Sequence, residues 1–285
     1  MNITVHRPES TDELMRGIAA AQPPLYYLAG GTDLLVLARD GHVPPSTWFD
    51  LTAIPELAGI RVEGGRVLVG GATTHHDLVR SDLLRRHAPA LVQGCSEIGG
   101  PQIRARGTVA GNISNASPAA DTVPPLYTLD TVLELTSPRG RRSVPLEEFA
   151  SAPRRTVREP DEVITSLSFP AREGVVGSFL RLGQRRSQAI SKISVAVTAV
   201  LAGDRFEYLR VAFGAVAPTV VRAPRAEAVL LERGRTPEAL EEACRVVAEE
   251  VRPITDVRST AEYRRAMSSI LLRRALEALP GAGWD

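Results

Sequence analysis

Two stretches of this 285-residue chain carry residue types suited to holding a ligand through the backbone. The first is Leu28-Ala29-Gly30-Gly31-Thr32-Asp33-Leu34, between a strand candidate and a helix candidate. Adjacent glycines at such a turn let backbone N–H groups approach a phosphate with no side chain in the way. The start of the helix adds unpaired donors and a favourable dipole, and Thr32 adds a hydroxyl. The alternative is a structural Gly-Gly turn with Thr32 or Asp33 as the helix cap. The pattern is not G-x-G-x-x-G, so it gives little support to a Rossmann dinucleotide fold. The second stretch is 99–121, GGPQIRARGTVAGNISNASPAAD, dense in Gly, Ala, Ser and Asn. That composition suits a backbone wrapped around a flat, polar ligand, and a structureless loop of this length inside a domain is unusual. Asp121, at its end, is placed to accept hydrogen bonds from ligand hydroxyls. The alternative is a solvated cluster of turns.

Other chemistry is thinly represented. Lys192 is the only lysine among 34 basic Lys and Arg residues. Arg cannot replace Lys where a compact point charge is needed, so this residue is either functional or a chance survivor of a bias toward Arg. His75-His76-Asp77 has metal-ligating types, but neighbours on a helix diverge, and a capped surface helix is the expectation there. The G-x-S-x-G elbow, the P-loop and H-E-x-x-H are absent. Two distant cysteines, Cys95 and Cys244, argue against a disulfide framework, a thiolate zinc site or a self-contained iron–sulfur cluster. A net charge of +1 argues against a nucleic-acid surface. No apolar run approaches the length of a membrane span, and the N-terminus lacks the blocks of a signal peptide, so a cytoplasmic protein is expected.

The elements that must position these residues follow from periodicity. Ser10 to Glu13 has capping-box spacing before a helix that Pro23-Pro24 closes. Residues 25–28 and 47–50 read as parallel strands with a helix from Leu34 to about Gly41 between them. Residues 60–62 and 67–69 flank Gly64-Gly65 as a hairpin. A capped helix starts at Thr74 and a longer one covers 83–97. A second hairpin turns at Pro138-Arg139-Gly140, and 163–169 alternates as a strand. After a break at 170–177, strands 194–202 and 205–214 turn at Gly203-Asp204. Helices 223–232, 236–251 and 259–279 follow, the last with Tyr263, Met267, Ile270, Leu271 and Leu276 on an apolar face.

Taken together, AGGTDLL and QIRARGTVAGNISNASPAADTVPPL resemble the flavin-binding medium subunit of the molybdenum hydroxylases, the xanthine dehydrogenase and carbon monoxide dehydrogenase type. Residues 179–197 and the ending 263–279 are similar to that family's C-terminal domain, so the resemblance spans essentially the whole chain. It implies an α+β fold: a two-subdomain FAD-binding domain of the vanillyl-alcohol-oxidase (PCMH) type over 1–172, divided near residue 56, then a small antiparallel sheet with a helical bundle over 173–285. It implies that Tyr27, Leu28, Ala29, Gly30, Gly31, Thr32, Asp33 and Leu34 form the loop that holds the FAD pyrophosphate. Thr108, Val109, Ala110, Gly111 and Asn112 match the loop along the diphosphate and isoalloxazine. Asp121 matches an acidic residue that binds the flavin nucleotide, and Ile98 and Ile164 match positions that line the cofactor. Lys192 matches a lysine near the ring, where its charge would stabilise a reduced, anionic flavin. Ala110 departs from the family, many members of which have a second glycine there.

The function so implied is electron transfer in an oxidoreductase complex. Electrons released at a molybdenum cofactor on a large partner chain pass through the [2Fe-2S] clusters of a small partner chain to FAD here, and on to NAD, a quinone or oxygen. The overall resemblance leans toward xanthine or another purine as the substrate of the complex. The rivals are a stand-alone flavin oxidoreductase and an assembly subunit that has lost its flavin. The first calls for an acid or base over the ring, which no His or Cys in the glycine-rich stretches supplies. Against the second stand the intact Gly30, Gly31, Gly107, Gly111, Asn112 and Asp121.

Overall fold

The computed structural model describes residues 3–185, 188–281 and 283–284. Three strands, β1 (Ile3–His6), β2 (Leu25–Leu28) and β3 (Ser46–Asp50), form a parallel sheet in the order β1-β3-β2. Its connections are α1 (Thr11–Ala20) and α2 (Leu34–Arg39). Ser10 caps α1 by accepting from the Glu13 amide, as the spacing predicts. Leu14 and Ile18 pack on Phe49, Leu51, Ile54 and Leu57, with Val163 reaching in from the next sheet. Full burial of side chains of this size contributes roughly 1.5–3 kcal/mol each.

The next sheet is antiparallel. It takes β4 (Ile60–Glu63), β5 (Arg66–Gly70), β6 (Val132–Ser137), β7 (Gly140–Pro145) and β10 (Val163–Pro170) in the order β4-β5-β10-β6-β7. Both predicted hairpins are present. The small strands β8 (Ala150–Ala152) and β9 (Arg155–Thr156) pair beside it. Between β5 and β6 the chain leaves the sheet through α3 (His75–Arg80), α4 (Asp82–His87), α5 (Pro89–Ser96), α6 (Pro101–Arg104), α7 (Val109–Ser114) and α8 (Val123–Tyr127); α9 (Leu146–Phe149) follows β7. The single helix expected over 83–97 is two. Pro89 has no N–H and disfavours helical geometry at Ala88, which adopts φ −150° and ψ 53° between α4 and α5.

The third sheet runs β11-β12-β13-β14, made of β11 (Val175–Leu182), β12 (Ile193–Ala202), β13 (Arg205–Gly214) and β14 (Val221–Arg222). Helices α10 (Pro224–Arg233), α11 (Pro237–Glu250) and α12 (Ala261–Glu277) cover one face. The other face meets α5, where Ala90, Phe179 and Ala196 pack together. Strand β11 begins inside the stretch expected as a break, because its short apolar run is masked by the glycines and charges around it. The face of α12 also differs from expectation. Tyr263 and Ile270 are exposed, while Arg264, Ser268, Leu271, Leu272, Ala275 and Leu276 are buried. Arg264 is admitted because Asp256 pairs with it at 2.6 Å and the Ile254 carbonyl accepts from it at 2.9 Å, a satisfaction that apolar periodicity does not register. Among the described residues, no helix is long and apolar enough to cross a membrane.

Candidate functional site

A cleft of about 440 Å³ opens between the end of β2 and the excursion that joins β5 to β6. Both glycine-rich stretches line it. Tyr27, Ala29, Gly30, Gly31, Thr32, Asp33 and Leu34 contribute from the first, and Thr108, Ala110, Gly111 and Asn112 from the second. Ile98 and Ile164 complete the wall. Leu28 packs beside Trp48, and Val109 is fully buried in the core under the second sheet; neither lines the cleft.

The first loop depends on its glycines for close approach. A Cβ at Gly30 would stand 2.0 Å from the Arg106 carbonyl oxygen and 2.9 Å from the Gly107 Cα. The backbones of the two loops are thus in direct contact. Gly31 turns the chain into α2 at φ +74°. Asp33 occupies the cap position without a side-chain cap bond; its Oδ1 accepts instead from the Asn115 side chain of the second stretch. Among the described residues, the amides of Gly30, Gly31, Thr32 and Asp33 donate to no protein acceptor. A run of free donors in a concave wall is suited to an anionic ligand.

The second loop is stitched to the strands beneath it. The Val109 amide donates to the Thr73 carbonyl at 3.0 Å, and the Ala110 amide to Gly71 at 3.1 Å. Thr108 caps α7, its hydroxyl accepting from the Gly111 amide. Asn112 accepts a hydrogen bond from the Thr122 hydroxyl through its side-chain oxygen. Ala110 lies in the first turn of α7, so its added methyl requires no unusual backbone.

Tyr27 is anchored at its far end, where its hydroxyl donates to the Pro160 carbonyl at 2.8 Å, and burial pushes its pKa up to about 12. The structure also brings forward His75. Expected on a surface helix, it is 2% exposed and lines the cleft, while neighbouring His76 faces solvent. Burial, with the Arg104 guanidinium nearby, pulls its pKa down to about 4. Thr74 marks the start of this helix, but a cap does not say which way the next side chain faces, so the burial of His75 has no local signal. Among the described residues, no group of three or more His, Cys, Asp or Glu is arranged to hold a metal ion.

Asp121 and Lys192 lie outside the cleft lining. Asp121 is 8% exposed and accepts from Ser191 Oγ at 2.7 Å and from Arg181 Nη1 at 3.3 Å. Burial pushes its pKa up to about 6, with Ser191 and Arg181 opposing. Lys192 follows Ser191; its amide donates to the Leu182 carbonyl, and its ammonium stands 6.0 Å from the Tyr263 ring centre. A carboxyl whose folded-state pKa is raised favours folding at low pH, and that contribution is lost as pH rises through about 6. A shift of about 2 pH units corresponds to up to ~3 kcal/mol. Asp121→Asn is therefore expected to flatten the decline of Tm between pH 4 and 6, read by thermal melts of both proteins. Parallel pH profiles would refute the assignment.

Comparison with known proteins places this geometry. The family described as the FAD binding domain in molybdopterin dehydrogenase matches residues 1–172, and the CO dehydrogenase flavoprotein C-terminal domain matches 178–279. The xanthine dehydrogenase FAD-binding subunit of Escherichia coli O157:H7 is 33% identical over 270 residues, covering 93% of this chain and 92% of that protein. The carbon monoxide dehydrogenase medium chain of Hydrogenophaga pseudoflava is 31% identical over 274 residues, covering 96% and 95%. The solved structure of reconstituted CO dehydrogenase from Oligotropha carboxidovorans superposes with a TM-score of 0.93 at 29% identity, covering 99% of each chain.

Proposed function

The chain belongs to the FAD-binding medium subunits of the molybdenum hydroxylases, and from that premise we propose that it is the electron-transfer subunit of a three-component complex. Its partners would be a small [2Fe-2S] chain and a large chain carrying the molybdenum cofactor, in the cytoplasm. The observation that carries the proposal is the direct contact of Gly30 with the Arg106 carbonyl, which joins the two glycine loops into one cleft with free amides.

The residues present fit FAD. Four amides of the first loop lack a protein acceptor where that loop lines the cleft, and Gly30 lets the two loop backbones touch, where a Cβ would force them apart. The cleft's volume of about 440 Å³ falls in the range of cofactor clefts. We assign Tyr27 and Ala29 to Leu34 to the pyrophosphate, and Thr108 and Ala110 to Asn112 to the diphosphate and the ring, with Ile98 and Ile164 flanking it. Asp121 would give its remaining acceptor sites to the nucleotide. Lys192, outside the cleft lining, would act on the flavin only through the field of its positive charge, which stabilises added electrons. Bound FAD supplies the exchange of electrons between one-electron clusters and an external acceptor. We place the boundary between the FAD-binding domain and the C-terminal domain near residue 172.

For the substrate of the complex we favour xanthine or a related purine, from the overall resemblance; the 33% and 31% identities to the xanthine and carbon monoxide dehydrogenase chains do not by themselves separate the two. The acceptor would be NAD, a quinone or oxygen. Isolating the tagged chain from its native cell tests all of this. The expected product contains flavin, iron and molybdenum with two further chains, and its flavin absorbance bleaches with xanthine but not with carbon monoxide. Bleaching by carbon monoxide alone would transfer the substrate assignment. A flavin-loaded chain that turns over substrate without partners would overturn the subunit role.

A further inference from the structure

We propose that His75 contacts the cofactor directly: its neutral imidazole donates a hydrogen bond to a diphosphate oxygen of FAD between the two glycine loops, and binding of that anion draws a proton onto the ring. The inference rests on the cleft being the FAD site.

Three observations converge on this residue. Its place is fixed by the second loop, since the His75 amide donates to the Gly107 carbonyl at 2.9 Å. Around the point that a Gly107 Cβ would occupy, His75 Cδ2 stands at 3.2 Å and Thr32 Oγ1 at 3.5 Å. The ring and the first-loop hydroxyl therefore meet at the junction of the loops, on the cleft wall. In addition, Nδ1 is buried and has no hydrogen-bond partner among the described residues. Nδ1 is enclosed even with the cleft unfilled, so the nitrogen open to a ligand there is Nε2, bonded to Cδ2 at the junction of the loops.

The surrounding charges fit a neutral donor that becomes charged only with its ligand. The nearby guanidinium is Arg104, whose Nη1 donates to the Ile98 and Gly99 carbonyls. Arg106 on the same loop is exposed. On the first loop, Asp33 is engaged by Asn115. On the helix of His75 itself, Asp77 is exposed and bonded to the Thr74 hydroxyl. From α5, Cys95 presents a buried thiol whose pKa burial raises. No carboxylate in this set is free to pair with the imidazole, so at neutral pH the ring is uncharged with one N–H to donate. A diphosphate beside it opposes Arg104 and raises the proton affinity of the ring. Between the free and bound pKa values, each FAD bound takes up part of a proton from solvent, and affinity falls as pH rises through the bound value.

The test is calorimetric titration of FAD into the flavin-stripped full-length protein at several pH values from 5 to 8, in buffers of different ionisation heat. Wild type is expected to take up a measurable fraction of a proton per FAD. His75→Gln keeps a donor that cannot titrate, and should bind a few-fold more weakly with that uptake abolished. His75→Phe should bind at least about tenfold more weakly. Riboflavin, which lacks the diphosphate, should give no uptake with wild type. Equal uptake in wild type and His75→Gln, absence of uptake in wild type across the range, or unchanged affinity in His75→Phe would each overturn the proposal. If the Phe variant does not fold, the Gln comparison decides. Wild type that binds no FAD at all would overturn the assignment of the cleft itself.

Discussion

Gly30→Ala is expected to yield protein almost free of flavin. The added methyl would stand 2.0 Å from the Arg106 carbonyl oxygen and 2.6 Å from its carbon, and both belong to backbone. No flexible side chain can swing aside. Either loop must retreat, and the second is held by the Val109 and Ala110 amides and by His75. Overpacking of this kind costs about 1–3 kcal/mol and sometimes more. Set against cofactor binding, that is roughly a five- to 150-fold loss of affinity. The measurement is absorbance of the purified variant, with fluorescence titration of added FAD. Circular dichroism matching wild type would show that the rest of the chain had folded. A folded variant with full flavin content would mean that the loops are not held in the contact seen here.

Arg181→Met should be strongly destabilising although the residue lies outside the cleft. Arg181 has a side chain only 6% exposed and donates to Glu97 at 2.9 Å, to Asp121 at 3.3 Å and to the Ala189 carbonyl at 2.6 Å. It thereby ties the end of α5 and the second glycine-rich stretch to β11 and to the chain entering β12. Removing one partner of a buried pair costs about 3–5 kcal/mol, because the other charge is left without compensation. For a chain of this size that lowers Tm by on the order of 10 °C. The loss must also depend on pH. Without Arg181 the Asp121 carboxyl loses a group that favours its ionised form, so its raised pKa rises further. The variant then suffers least at low pH, where Asp121 is protonated, and most above pH 7. Thermal melts at pH 5 and pH 8 read this directly, and Arg181→Met with Asp121→Asn should recover part of the loss. An equal penalty at both pH values would remove Asp121 from the explanation.

The regular elements were legible where local signals agreed. Gly64-Gly65 and Gly203-Asp204 sit between alternating apolar runs, and both hairpins form. Ser10, Thr74 and Thr236 cap helices that periodicity had outlined. Pro89 was legible too, but the apolar positions on both sides run through it and suggested one helix. In the candidate site, composition marked both glycine-rich stretches, because small residues are needed wherever backbones approach closely. What composition does not encode is which backbone they approach. Gly30 meets Arg106 only because the sheets bring β2 beside the excursion after β5. His75 was hidden by the same limit. Adjacent histidines diverge, as expected, yet one of the two faces was roofed by a loop thirty residues downstream.

The strand order β4-β5-β10-β6-β7 has a consequence for the kinetics of assembly. Strand β10 lies between the two hairpins, pairing Ser166 with Gly70 on one side and with Glu134 on the other. Until it arrives, β5 and β6 belong to separate ribbons with nothing to fix their spacing. The chain between them carries His75, Ile98 and the second glycine loop, and the Gly71 amide, beside that loop, donates to Thr165 of β10. Such pairings close long loops, a cost that is met before contacts repay it. The cleft therefore cannot be complete before β10 has paired on both sides. A flavin that needs the completed cleft stabilises the native state by mass action.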